Sequence, residues 1–243
     1  MMNMTPTGQS SRERILNAAV ALLAEGGREA VTTRAVSTAA GVQAPTIYRQ
    51  FGDIAGLFDA VITAGFSGYL EVKAAREPSG DPVEDLRQGW DLHVGFGLAN
   101  PATYRLMYGE ARPDKRPTAA GEVDRILRGL VEGIAEAGRL AVGVERAGRM
   151  INAACVGVVL TLIATAKEDR DPTLSATMRE LIIAAVTTAE AHPSERGDSS
   201  GGGQVATRAV SLKAVLPQAE RRLTPGERHI LSEWLDRLSD VPD

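Results

Sequence analysis

The chain has 243 residues, 44% of them hydrophobic, 24% charged and 4% aromatic, with a formal net charge of −4. That balance belongs to a packed globular chain and excludes general disorder, a collagen-like repeat and a multi-span membrane protein. An acidic total also excludes bulk attraction to nucleic acid, so any such site has to be a local patch.

Residues 1–9 carry no basic segment followed by an apolar run, so no signal peptide is expected and the stretch reads as disordered. Helix punctuation begins at once. Ser10 and Glu13 form a capping box ahead of Ile15, Leu16, Ala19, Leu22 and Leu23 at helical spacing. Gly26-Gly27 should stop that helix. Thr32 or Thr33 should cap a short one that ends at Gly41, and a second short helix should cover 44–51. Asp53 caps a long helix to about residue 75. Asp81-Pro82-Val83-Glu84 is a further start, and Asn100-Pro101 and Asp171-Pro172 repeat the cap-then-proline device. The helices between them are expected over 83–99, 101–109, 118–137, 144–167 and 173–191. That makes nine helices before residue 192, no strand and no internal repeat. An alanine-rich, aromatic-poor core suits close-packed helices, so the fold class is all-α.

The stretch 150–166 is uncharged and bracketed by Arg149 and Lys167, at the short limit for a membrane span. It holds Asn152, Thr161 and Thr165, and reads as a buried helix rather than a span. Residues 193–203 are rich in Ser and Gly and read as a flexible linker. Gly201-Gly202-Gly203 is no phosphate loop, because no strand precedes it and no Gly-Lys-Ser/Thr follows. In the tail, 204–243, a capping box at Thr224 and Glu227 precedes a stripe of Ile230, Leu231, Trp234, Leu235 and Leu238. That stripe is expected to bury itself on its own subunit, a partner subunit or another protein. The one cysteine, Cys155, precludes an internal disulfide and fits a reducing cytoplasm.

Residues 33–51 carry the main functional signal. Two short helices joined at Gly41-Val42 share an expected inner face of Ala35, Val36, Ala39, Val42, Ile47 and Phe51. Glycine at 41 suits the left-handed turn. Pattern alone fits either a structural helical hairpin or a helix-turn-helix, whose second helix enters a major groove. The outer face favours the latter. Gln43, Ala44, Pro45, Tyr48 and Arg49 are left pointing outward. Gln and Arg hydrogen-bond base edges, and Ala or Pro touches a thymine methyl. Thr46, Tyr48 and Gln50 can donate to phosphates. Residues 1–50 hold Arg12, Arg14, Arg28, Arg34 and Arg49 against Glu13, Glu25 and Glu29, a local surplus of +2 (5 − 3) within an acidic chain.

The run Arg14-Ile15-Leu16-Asn17-Ala18-Ala19, Thr32-Thr33-Arg34-Ala35-Val36, Ala40-Gly41-Val42-Gln43-Ala44-Pro45-Thr46-Ile47-Tyr48-Arg49-Gln50-Phe51 and Leu57-Phe58 resembles the DNA-binding domain of the TetR family over residues 10–65. Asn100 to Gly109 is similar to a run in one subgroup of that family's ligand-binding domains. The resemblance implies a homodimeric one-component regulator that binds double-stranded operator DNA and a small-molecule effector. It implies a head over 10–55 and a helical ligand-binding and dimerisation domain over 56–192. By position, Arg34, Gln43, Ala44 and Pro45 would face bases, and Thr33, Thr46, Tyr48 and Gln50 phosphates. Gln50 stands where the family usually has His, and Ile54 where it usually has Lys. The second change removes a cationic phosphate contact.

The resemblance places an effector pocket among the middle helices. Its candidates are Trp90, His93, Phe96, Tyr104, Met107, Tyr108, Met150 and Cys155, each of which also reads as plain core. It places the dimer interface on the last two helices of that domain, with Met150, Ala154, Gly157, Val158, Leu174, Met178, Leu181, Ile182 and Ala185 as candidates. An enzyme is not expected. His93, His192 and His229 are scattered outside any metal-ligand spacing, and no nucleophile signature is present. No catalytic residue, metal or cofactor is expected, and sequence leaves repressor and activator both open.

Overall fold

The computed structural model describes residues 9–75, 77–109, 117–188, 201–219 and 223–239. Residues 1–8 and 189–200, which hold most of the expected disordered N-terminus and linker, lie outside the described residues. The described chain is all-helical, with one isolated antiparallel bridge between Leu140 and Thr187. It forms two compact units, Met1–Ala75 with Phe96–Val123, and Arg76–Gly95 with Asp124–Asp243.

The first unit begins with α1 (Ser11–Ala30), α2 (Thr33–Ala40), α3 (Ala44–Phe51) and α4 (Ile54–Ala74). Both arms of the first capping box form. The Glu13 amide donates to Ser10 Oγ at 3.2 Å, and the Ser10 amide donates to Glu13 Oε2 at 2.7 Å. These bonds hold the Glu13 carboxyl below the usual glutamate range. Gly27 breaks α1 with φ +67°, and one further turn follows before the chain leaves the helix. Thr32 is the cap of α2, its hydroxyl accepting from the Ala35 amide at 3.1 Å. α1 buries Ile15, Ala19 and Leu23, one row at i, i+4 and i+8, and packs on α2 and α3, which bury Val36 and Ile47. Leu57, Phe58, Val61 and Ile62 of α4 are buried as well.

The same unit contains the end of α5 (Pro82–Ala99), α6 (Pro101–Tyr108) and the start of α7 (Thr118–Glu136). Asn100 does not act as the expected side-chain cap; its Nδ2 donates back to the Phe96 carbonyl at 3.0 Å. The start of α7 takes its cap from elsewhere in the chain. The Thr118 amide and hydroxyl donate to the two oxygens of Asp59, on α4, at 2.9 and 3.0 Å. Gly65 of α4 sits where a Cβ would lie 2.7 Å from Thr103 Cγ2 of α6, so the small residue permits that approach.

The second unit takes the rest of α5 and α7 with α8 (Val144–Ala164), α9 (Leu174–Val186), α10 (Gly201–Val215) and α11 (Pro225–Ser239). Asp81 caps α5 through the Val83 amide at 2.9 Å and pairs with Arg139 at 2.7 Å. The amide bond and, after it, the guanidinium hold its carboxyl below the usual range against the opposing effect of burial. α5 and α9 are bridged by Arg87–Glu180 and Asp91–Arg179 ion pairs. Burial pushes the Glu180 carboxyl up, but hydrogen bonds from Arg179 and Arg87 outweigh it and the net shift is downward.

α9 ends at Val186, short of the expected 191. The Thr188 amide donates to the Arg139 carbonyl at 2.9 Å, and the Ala141 amide to the Val186 carbonyl at 2.8 Å, so the extended turn after α7 takes over the backbone partners. α8 ends at Ala164 rather than 167, and Lys167–Asp169 form a 3-10 turn instead. α8 is long and apolar enough to cross a membrane by length and composition. It buries Ala147, Ile151, Cys155, Val158 and Leu162 along one side, the spacing of a helix packed within a protein.

α10 begins at Gly201, so the triple glycine is its first turn rather than part of the linker. A first turn needs no apolar stripe, and the pattern that marks a helix was missing there. α10 and α11 pack on each other, with Lys213 paired to Asp236. Ala206, Ala209, Val210 and Leu235 are buried. Of the expected stripe on α11, Leu235 is buried and Leu231 half-buried, while Ile230, Trp234 and Leu238 stay exposed. Within the single chain the stripe is thus covered only in part. A two-helix hairpin buries the side of α11 that meets α10, and the stripe is wider than that side.

Candidate nucleic-acid interface

The turn between α2 and α3 is set by Gly41, at φ +63° and ψ +41°. Its amide and that of Val42 return to the carbonyls of Thr38 and Ser37. Left-handed backbone of this kind costs an L side chain roughly 1–2 kcal/mol. Inside the turn Val36 and Ile47 are fully buried and Ala40 nearly so. Ala40 is the inner alanine; Ala39 is exposed, contrary to expectation, because Val36 and Ala40 share a face at i, i+4 and Ala39 lies off it. Ala35, Val42 and Phe51 are half-buried.

The outer row is open. Gln43, Pro45, Tyr48 and Arg49 are exposed, and Ala44, Thr46 and Gln50 are half-buried. Gln43 is the N-cap residue of α3 yet makes no side-chain cap bond, so its amide is not consumed by the helix. On α2, Arg34 is exposed and Thr33 half-buried. The Thr33 hydroxyl lies 3.3 Å from the Tyr48 hydroxyl, which brings two of the expected phosphate donors together across the turn. All five arginines of the basic surplus are exposed, but two of them lie against rings. Arg12 Cζ lies 4.5 Å from the Phe51 ring centroid, and Arg28 Cζ 5.1 Å from that of Phe58.

The join to α4 is equally tight. Gly52 has φ +79°, and its amide donates to the Tyr48 carbonyl at 2.8 Å. Asp53 Oδ1 accepts from the Gly56 amide at 2.7 Å. A Cβ at Gly56 would lie 2.0 Å from the Phe51 carbonyl oxygen, so only glycine fits. Ile54, where a lysine is usual in the resembling family, opens α4 half-buried.

The candidate effector residues fall into both compact units. In the first, Tyr104 and Met107 are buried, and Phe96 and Tyr108 half-buried. Ring centroids lie 4.8 Å apart for Tyr104–Tyr108, 4.4 Å for Phe66–Phe96 and 4.8 Å for Tyr69–Phe96. Phe66 and Tyr69 of α4 thus join this cluster, and the sequence reading missed them. Their i, i+3 spacing on a long apolar helix was the available signal. In the second unit Trp90, His93 and Cys155 are buried and Met150 half-buried. Trp90 Nε1 donates to Ser175 Oγ of α9 at 3.1 Å.

The candidate dimer residues lie on α8 and α9, which pack on each other. Gly157, Leu181 and Ala185 are exposed, Leu181 to 61%. Met150, Ala154, Leu174, Met178 and Ile182 are half-buried, and Val158 is buried within its own chain. Among the described residues no group of His, Cys, Asp and Glu is arranged to hold a metal.

A left-handed glycine turn, a shared apolar interior and an open outer row on the second helix define a helix-turn-helix. Residues 15–61 match the family described as bacterial regulatory proteins, tetR family. The match covers the head, which is similar to the DNA-binding region of that family. The HTH-type transcriptional regulator YvkB of Bacillus subtilis (strain 168) is 33% identical over 102 residues, which cover 42% of this chain and 48% of that protein. The chain thus spans about half the length of this curated relative. A structure assigned to the TetR family of transcription regulators, from Shewanella sp. PV-4, superposes with a TM-score of 0.55 at 17% identity, covering 74% of this chain and all of that one. A single-substitution variant of TetR from Acinetobacter baumannii AYE superposes at 0.54 and 20% identity, over 73% of this chain and 96% of that one. The all-helical fold of these regulators therefore extends well beyond the head.

Proposed function

We propose that this chain is a cytoplasmic, homodimeric transcriptional regulator that binds a pseudo-palindromic operator and is released from it by a small, largely apolar effector. The observation that carries the reading is the outer row of α3, uncommitted to the fold while the inner row is buried. Arg34, Gln43, Ala44 and Pro45 read base edges. Thr33, Thr46, Tyr48 and Gln50 hold phosphates, and Arg49 joins the outward face. Two such heads on a two-fold axis reach successive major grooves, about 10 bp or slightly more between half-site centres. The dimer closes through the exposed parts of α8 and α9, around Gly157, Leu181 and Ala185.

The effector site is assigned to the aromatic cluster of the first unit, with Phe96, Tyr104, Met107 and Tyr108 as candidates; Trp90, His93, Met150 and Cys155 are separate candidates within the second. Support for ligand response comes from a fold neighbour, the Acinetobacter TetR variant, which was solved in complex with minocycline. α4 carries both Phe66 and Tyr69 of the ring cluster and the Asp53–Gly56 cap beside the end of α3. It is the element through which an effector would bias the head. An effector weakens DNA binding only by its differential affinity for the two states, and the effect is reciprocal.

Footprinting on the DNA flanking the gene, followed by Arg34→Ala, tests the reading. Arg34→Ala should cost roughly 1–3 kcal/mol at one base pair if it reads a guanine. An equal loss on every sequence would make Arg34 a phosphate contact, and no protected site would remove the operator. Release on effector binding marks a repressor of the adjacent promoter; a gain of transcription from the same site marks an activator.

A further inference from the structure

We propose that Arg12 is a positioning residue for DNA reading: it locks the C-terminal end of the recognition helix α3 to the start of α1 without itself neutralising a phosphate. The inference rests on the DNA-reading head proposed above and assigns a role to a residue outside the helix-turn-helix.

The last four carbonyls of any helix lack partners within it, and a cation is favoured beside them. Arg12 Nη1 donates to the carbonyl of Gln50, in the last turn of α3, at 3.0 Å. Its guanidinium lies over the ring of Phe51, the last residue of that helix, at 4.5 Å. One side chain thus holds both the backbone and the terminal side chain of α3. The hold matters because α3 has only 8 residues and no side-chain cap at Gln43. Helices that short do not persist on their own. Its other fixed points include Ile47, buried at its middle, the Thr33–Tyr48 hydroxyl contact and the Gly52 amide on the Tyr48 carbonyl. Without Arg12, α3 would pivot about Ile47, and the outer row from Gln43 to Arg49 would lose its register on the bases. Lysine does not replace it, because a compact ammonium does not lie flat on a ring while donating in the plane of a guanidinium.

The competing role is a phosphate contact through the donors that Gln50 leaves unused. The full-length protein and its footprinted operator separate the two. Arg12→Ala should lower operator affinity by roughly five- to tenfold, the loss of one such hydrogen bond and one cation–ring contact. The ratio of matched to mismatched operator should fall with it. The slope of log affinity against log salt should stay at the wild-type value, and Arg12→Lys should recover little. In DNA-free protein, amide exchange at Gly52 should quicken in Arg12→Ala while the Val36 and Leu57 amides keep their protection, which tells local release from a failure to fold. A salt slope reduced by about 0.9, one phosphate's worth, with Gly52 exchange unchanged and Arg12→Lys restored to wild type, overturns the proposal. So does wild-type behaviour in every assay. If wild-type protein binds no DNA sequence selectively, the DNA-reading head is what fails, and Gly52 exchange still decides whether Arg12 holds the end of α3.

Discussion

The two ends of the chain open with the same local device and finish in opposite states. Ser10 with Glu13 and Thr224 with Glu227 both make complete capping boxes. Each is followed by an apolar row at helical spacing. In the head that row, Ile15, Ala19 and Leu23, is fully buried. In the tail Ile230, Trp234 and Leu238 are 47%, 57% and 48% exposed. The head crosses three helices in the space of about forty residues, so each apolar row meets more than one neighbour. The α10–α11 hairpin packs chiefly on itself, which is enough for Leu235 and leaves Ile230, Trp234 and Leu238 exposed. Capping and periodicity decide where a helix forms. How many helices surround it decides what becomes of its apolar face.

The largest effect that sharpens this contrast is at Ile47. Truncation to alanine leaves a cavity among α1, α2 and α3 and should cost about 2–5 kcal/mol, read by chemical denaturation together with loss of operator binding. Trp234→Ala, on the open face of α11, should cost far less despite removing a larger side chain. Equal losses would mean that the exposed stripe is covered in solution and that the contrast is false.

Gly56→Ala comes next. Its Cβ would meet the Phe51 carbonyl, which is backbone and cannot swing away, so the α3–α4 join must shift. A loss of about 1–3 kcal/mol is expected, in the range of overpacked sites, and operator affinity should fall with it. A neutral result would show the join to be loose.

A smaller effect follows from the two capping glutamates. Hydrogen bonds from Ser10 and from Thr224, backbone first, hold Glu13 and Glu227 below their ordinary value. A carboxyl depressed in the folded state contributes stability above its unfolded pKa and loses it as pH falls through the folded one. Each helix start should therefore loosen only on the acid side of about pH 4. Glu13→Gln and Glu227→Gln should flatten that acid limb in NMR titrations of the flanking amides. An unchanged limb in either variant would remove the box from the account.

The smallest expected change is Trp234→Ala itself, within about 0.5 kcal/mol, as for an exposed site without partners. In a Trp90→Phe background, which leaves one indole, intrinsic fluorescence should place Trp234 in water. A blue-shifted, quencher-protected signal would reveal a cover on α11.

The legible parts of the fold were those written locally. Ser10, Thr32, Asp53, Asp81 and Thr224 announce their helices with side chains that reach two or three residues along, and Gly41 announces its turn. The open face of α3 was legible because Ile47 fixes its phase. What stayed hidden depended on distant partners. Arg12 counts as a surface charge until Gln50 and Phe51 arrive beside it, 38 residues on. Phe66 and Tyr69 read as generic core until Phe96 meets them. The early end of α9 depends on Arg139 and Ala141 claiming its backbone, which no helix propensity encodes. Asn100 looked like a cap by type and position, but its amide found the Phe96 carbonyl instead.

The cap that Asp59 lends to α7 has a kinetic consequence. Thr118 is gripped by a carboxylate 59 residues earlier, so the first turn of α7 cannot be completed until α4 has formed and come alongside it. The order of events is thereby built into one amide. Exchange of the Thr118 N–H should follow the opening of the α4–α7 contact rather than the fraying of α7 alone, which makes this single proton a clock for the assembly of that unit.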